Sequence, residues 1–231
     1  MTRKPVAITC GEPAGVGPEI AVDAWRALDG TIPIVWIGDP RHLPINTPVV
    51  ELSDPAQAID ADGFPVLPHA FAESVSPGTP NLSLSQGVID VIARAVDLAQ
   101  SGLVSAVCTA PIHKKVLKDG AGFTFPGHTE FLAHLGGDVD VVMMLASDAL
   151  RVVPTTIHIA LSEVRDALTP ELLRRTIQIT HDGLKSQFGL NAPRIAVAGL
   201  NPHAGEGGAM GQEELLVVLQ SLFLGPHGVS Q

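Results

Sequence analysis

Cysteine is scarce in this chain: Cys10 and Cys108 are the two thiols among 231 residues. Each lies within a strand-like apolar run, which argues for buried thiols in a reducing compartment and against a disulfide framework. Basic residues are also sparse. Fourteen Lys and Arg against 24 Asp and Glu leave a formal charge of -10, and the cations are scattered, so nucleic acid and anionic membranes are excluded as partners. Met1-Thr2-Arg3-Lys4-Pro5 is followed by too short an apolar stretch for a signal-peptide core, and no apolar run reaches bilayer-spanning length. Small molecules or copies of the chain remain as partners, with the cytoplasm as the expected location.

What is present suffices for a core. With 45% apolar residues the chain can form one large α/β domain or two smaller lobes, and its 19 prolines and 23 glycines punctuate many turns. Val6-Ala7-Ile8-Thr9-Cys10 reads as a strand. Gly11 to Pro18 then turns into a helix with Ile20, Ala24 and Leu28 on one side and Pro18 in its first turn. That turn has neither the spacing of a dinucleotide fingerprint nor a P-loop lysine, so close strand-to-helix packing is the better account of its glycines. Ile34 to Asp39 reads as a second strand, and the proline-rich residues after it predict only short irregular strands.

Val88, Val91, Ile92, Ala95, Val96 and Ala99 recur at helical spacing, with Gly102 placed to cap. A strand at Ala106 to Ala110 leads into Pro111-Ile112-His113-Lys114-Lys115, whose lysines suit an anion and a solvated helix face equally. Phe125-Pro126-Gly127-His128-Thr129-Glu130 reads as a turn into a short helix. Its His128 and Thr129 suit either a phosphate contact or an ordinary cap. Val139 to Ala146 predicts a central buried strand, and Arg151 to Ile159 a pair of extended segments. Thr169-Pro170-Glu171 starts a helix with Leu173, Ile177, Leu184 and Phe188 as its buried stripe and Gly189 as its stop.

Ile195-Ala196-Val197-Ala198 predicts a short buried strand that delivers the loop Gly199-Leu200-Asn201-Pro202-His203-Ala204-Gly205-Glu206-Gly207-Gly208. To reverse beside a site, that loop requires positive φ at one or more of Gly205, Gly207 and Gly208. His158 and His203 each end an apolar run, and at the carboxyl ends of neighbouring strands their imidazoles could converge on a divalent metal. Two ligands are too few. A working site needs a third protein ligand and substrate oxygens, which spacing alone does not assign.

Four motifs carry a resemblance. Gly11-Glu12-Pro13-Ala14-Gly15-Val16-Gly17-Pro18-Glu19, Pro126-Gly127-His128-Thr129-Glu130-Phe131, Thr156-Ile157-His158 and Gly199 to Gly208 resemble the 4-hydroxythreonine-4-phosphate dehydrogenase family of pyridoxal 5'-phosphate synthesis, in order from residue 6 to about residue 214. The resemblance implies an isocitrate-dehydrogenase-like α/β/α fold around a central, mostly parallel sheet. It implies a homodimer with the site at the subunit interface. A divalent metal (zinc, magnesium or cobalt) would be held by His158 and His203, and His128 and Thr129 would touch the phosphorylated substrate. NAD or NADP would oxidise 4-phosphooxy-L-threonine to 2-amino-3-oxo-4-phosphooxybutanoate, which decarboxylates to 3-amino-2-oxopropyl phosphate. The catalytic proton acceptor and the cofactor-binding residues are not assigned by it.

The resemblance lapses near residue 214. The family's further histidine and its basic and amide substrate residues have no counterpart after Glu214, and eight of the ten residues from Leu215 to Leu224 are apolar. The expectation is therefore an incomplete family region at 1–214 with the C-terminal part missing, an aberrant tail at 215–231, and little or no turnover. Two alternatives stand beside the leading one: a dehydrogenase for a phosphorylated four-carbon sugar acid or a cis-diol, and a non-catalytic remnant.

Overall fold

The computed structural model describes residues 3–219, and the chain divides after Val139 into two compact units. In the first, β1 (Val6–Thr9), β2 (Ile34–Gly38), β3 (Val49–Glu51), β4 (Phe64–Pro68) and β5 (Ala106–Thr109) form one parallel sheet ordered β3-β4-β2-β1-β5. β2 is buried along its whole length, as expected of a strand covered on both faces. Four helices accompany the sheet: α1 (Gly17–Leu28), α2 (Ser85–Gln100), α3 (Lys114–Ala121) and α4 (His128–Leu135). α2 buries Val88, Val91, Ile92, Ala95 and Val96, the face marked by their helical spacing, and Gly102 follows with φ 67°. The α/β class with a parallel sheet is thus as expected.

The first turn earns its glycines by packing. A Cβ on Gly17 would stand 2.3 Å from the Cys10 carbonyl oxygen, while Pro18 occupies the opening turn of α1. Beyond β2, Asp39 is almost fully buried. Burial works to raise its pKa, but hydrogen bonds from the Arg41 side chain and from the Phe71 and Arg41 backbone N–H groups outweigh it and hold Asp39 well below the usual carboxylate range. The carboxylate thereby ties the loop after β4 to the end of β2.

Four expectations are corrected here. The short strands expected in the proline-punctuated residues after β2 are present as β3 and β4, but they are regular members of the parallel sheet, and β4 is an interior strand whose Phe64, Val66 and Leu67 belong to the core. Its Pro65 and Pro68 hide a strand that burial on both sides enforces. Cys108 is exposed rather than buried, because β5 is an edge strand with alternating exposure. Cys10 alone is buried.

Two further corrections concern expected strands in and at the start of the second unit. It holds a two-residue antiparallel pair, β6 (Leu145–Ala146) with β7 (Arg151–Val152), then a one-turn helix α5 (Val164–Ala167), the long α6 (Pro170–Ser186) and a π-helical turn at Glu214–Leu219. Val139 to Ala146 is not a central buried strand: Asp140 to Met144 make no backbone hydrogen bonds among the described residues, and Leu145 is 60% exposed. Ile195 to Ala198 is not a strand either. It has no ladder partner among the described residues, and Ile195 and Val197 are half-buried while Ala196 and Ala198 are exposed. Apolar composition supplies β propensity, but a strand exists only where a neighbour accepts its hydrogen bonds. Consequently neither His158 nor His203 stands at the end of a strand.

α6 matches its reading closely. The Thr169 hydroxyl accepts from Leu172 N at 3.1 Å, Pro170 opens the helix, and Leu173 and Leu184 are buried. Phe188 is instead 43% exposed, with the Arg151 guanidinium 5.0 Å above its ring. Of the expected tail at 215–231, residues 220–231 lie outside the described residues. Among the described residues no helix is long and apolar enough to cross a membrane.

Candidate functional site

In the first unit, the segment after β5 and the start of α4 carry the polar groups of interest. His113 caps α3, its Nδ1 accepting from Val116 N at 3.4 Å. α4 is seated by aromatic packing: Phe123, Phe125 and Phe131 place their ring centroids 5.1 to 5.5 Å apart, with Phe123 and Phe131 buried. Gly127 precedes α4 in an extended conformation and offers no side-chain cap, so the N–H groups of the first turn stay free of side-chain acceptors.

His128 and Thr129, the expected substrate contacts, are adjacent and half-buried at that helix start. The His128 Nε2 is buried without a hydrogen-bond partner among the described residues. Desolvation lowers the His128 pKa, and the charge of Lys114 lowers it further, both favouring the neutral imidazole. The sequence left this helix start open between a substrate contact and an ordinary cap by Thr129, and Gly127 holds the cap position instead. The buried nitrogen of His128 is left without a partner among the described residues.

In the second unit, His158 and His203 are both exposed and on loops. The His158 side chain has no hydrogen-bond or ion-pair partner among the described residues, and its backbone is left-handed, φ 59°, which is uncommon for histidine. His203 begins a 3-10 turn, Ala204–Gly208, and its Nδ1 lies 3.6 Å from Glu206 Oε1. Gly205, Gly207 and Gly208 all have positive φ, 70°, 68° and 100°, as the reversing loop requires. Ala204 and Glu206 share the left-handed region without a glycine's freedom, so the loop carries backbone strain.

What holds that strained loop is Glu214, a residue that the sequence reading passed over. Its Oε1 accepts from Asn201 N at 2.7 Å, and the Asn201 Oδ1 in turn accepts from His203 N at 2.9 Å. Asn201 Nδ2 donates to the Met210 carbonyl at 3.1 Å. Glu214 is 8% exposed, and its Oε2 is buried without a partner, 3.0 Å from where a Cβ on Gly205 would stand. The available signal was a pair of carboxylates, Glu213 and Glu214, opening the apolar run Leu215-Leu216-Val217-Val218.

As donors, two exposed imidazoles suit a borderline divalent ion, with Glu206 of the same loop beside the His203 Nδ1. Among the described residues no group of three His, Cys, Asp or Glu side chains is placed to hold one, so further donors are needed.

Comparison with known proteins agrees with these motifs. Residues 31–222 match the family model described as pyridoxal phosphate biosynthetic protein PdxA. A 4-hydroxythreonine-4-phosphate dehydrogenase of Roseobacter denitrificans is 63% identical over 213 residues, covering 91% of this chain and 65% of its own length. The chain therefore spans about two thirds of that relative. The crystal structure of a 4-hydroxythreonine-4-phosphate dehydrogenase from Klebsiella pneumoniae superposes with a TM-score of 0.86 at 33% identity, covering 95% of this chain and 70% of that one. A terephthalate 1,2-cis-dihydrodiol dehydrogenase from Burkholderia xenovorans is more distant, with a TM-score of 0.64 at 26% identity, 94% of this chain and 68% of that one.

Proposed function

From the premise that this chain belongs to the pyridoxal phosphate biosynthetic protein PdxA family, we propose that it carries the metal- and phosphate-binding part of an NAD(P)-dependent dehydrogenase. Its substrate is 4-phosphooxy-L-threonine, oxidised to 2-amino-3-oxo-4-phosphooxybutanoate, which loses carbon dioxide to give 3-amino-2-oxopropyl phosphate. The setting is pyridoxine 5'-phosphate synthesis in the cytoplasm, and the working unit is a homodimer with the site at the subunit interface.

Each residue has a role in this reading. His158 and His203 hold the divalent ion (zinc, magnesium or cobalt), and His128 and Thr129 receive the phosphate. A bound metal would supply the charge that lowers the pKa of the substrate alcohol, and the nicotinamide would accept its hydride. The chain's own task is orientation. Asn201 fixes the backbone of His203, Glu214 fixes Asn201, and a rigid loop of this kind keeps an imidazole within the narrow tolerance that reaction geometry demands.

The observation that carries the choice of substrate is the partnerless, buried Nε2 of His128 at the free N-terminal turn of α4, a place that suits a phosphate oxygen. It favours a phosphorylated substrate over the cis-diol named for the more distant Burkholderia structure. The test is calorimetric binding of 4-phosphooxy-L-threonine and of unphosphorylated 4-hydroxythreonine, with zinc and with chelator. Binding of the first alone, weakened by chelator, is expected; equal binding of both would refute the assignment.

A further inference from the structure

We propose that Lys114 selects for the phosphate: its ammonium joins the His128 imidazole at Gly127 to form a two-helix anion cradle on the first unit. The inference rests on the phosphorylated-substrate reading above and names a residue which that reading leaves without a part.

The structure separates two lysines that the sequence presents as a pair. Lys115 is committed, with its Nζ 2.5 Å from Asp119 Oδ2, one turn along α3. Lys118 lies in the last turn of α3, where the helix dipole favours a cation. Lys114 has neither arrangement. Among the described residues it makes no ion pair, and its Nζ lies 3.4 Å from where a Cβ on Gly127 would stand, directly before His128. The nearby acid, Glu130, places Oε2 3.6 Å from the same point yet forms no ion pair with Lys114 among the described residues, so the ammonium is left free.

Its field nonetheless reaches His128, whose pKa is depressed by burial first and by Lys114 second. The cation of α3 lies against Gly127, and the unsatisfied buried ring nitrogen belongs to the next residue, at the start of α4. Either alone has a plain structural account. Together they leave one ammonium and one ring nitrogen unanswered, and with Nε2 carrying the imidazole proton both would donate to an anion with several oxygens. A phosphate monoester brings close to two negative charges and three acceptor oxygens near neutral pH. A ligand whose reacting end is a neutral diol has no use for them at this position.

The test uses the intact chain with inorganic phosphate as the probe, followed by the nitrogen-15 resonances of the His128 imidazole. Without ligand, Lys114→Met should raise the His128 pKa, and Lys115→Met should leave it unchanged. Phosphate should shift the His128 signals saturably. Lys114→Met should weaken that response by about tenfold or more, as loss of a charge-assisted contact predicts, with Lys114→Arg restoring most of it. Phosphate binding that perturbs His128 equally in wild type and Lys114→Met would overturn the role of Lys114 while sparing the phosphate reading. Absence of any phosphate response at His128 in the wild type would overturn both. Equal response to benzoate and to phosphate would overturn the claim of selection.

Discussion

At the scale of single residues, the account turns on two side chains that do not touch solvent freely. Glu214 fixes the position of His203 through Asn201, so its removal should be felt at the metal rather than in the core. Glu214→Ala is expected to lower cobalt affinity by about 10- to 100-fold, the range for residues that orient a ligand from behind. Glu214→Gln, which keeps an acceptor for Asn201 N, should recover most of it; equal losses in both variants, read by cobalt titration, would contradict the mechanism. His128 makes a pH prediction. Its folded pKa lies below the free value near 6.5, so as pH falls through about 6.5 the unfolded chain takes up the proton first and stability declines. Above that pH the group adds no penalty. The urea midpoint should therefore drop more between about pH 7.5 and about pH 5.5 in the wild type than in His128→Gln, and an identical drop in both would show the imidazole to be unperturbed.

At the scale of elements, the parts legible from sequence are those whose stabilisation is local. α2 and α6 were readable because their apolar residues keep helical spacing and each has one local end signal, Gly102 after α2 and the Thr169 cap of α6. β1, β2 and β5 were readable as apolar runs closed by glycine or proline turns. β4 was not, since two of its five residues are proline and only its place between β3 and β2 makes it a strand. The opposite error occurred at Val139 to Ala146 and at Ile195 to Ala198, where composition promised strands that have no ladder partner among the described residues. Strand formation is a pairwise property and periodicity reports on one chain segment alone. The turn from β1 into α1 supplies a test of packing at this scale. Gly17→Ala would force a methyl to within 2.3 Å of the Cys10 carbonyl, and an overpacking loss of about 1–3 kcal/mol is expected from chemical denaturation. An unchanged midpoint would mean that the turn relaxes freely.

At the scale of the whole molecule, the site was legible as residue types but not as an arrangement. His158 and His203 stood out in the sequence because each follows an apolar run, and His128 and Thr129 because they open a short helix in a motif of the family resemblance, whereas Glu214 and the separate role of Lys114 emerged only from contacts across elements. The two compact units share out the proposed work, with the phosphate contacts on the first and both proposed metal ligands on the second. Joint ligation by His158 and His203 is the claim on which the dehydrogenase reading depends. Its most direct test is a cobalt titration of the purified chain, followed by the visible absorption of the bound ion, in the wild type, His158→Ala and His203→Ala. The account predicts one saturable site per chain that each substitution weakens by about tenfold or more, since a shared ion cannot keep its affinity on one imidazole. Retention of wild-type affinity and spectrum in either variant would contradict it.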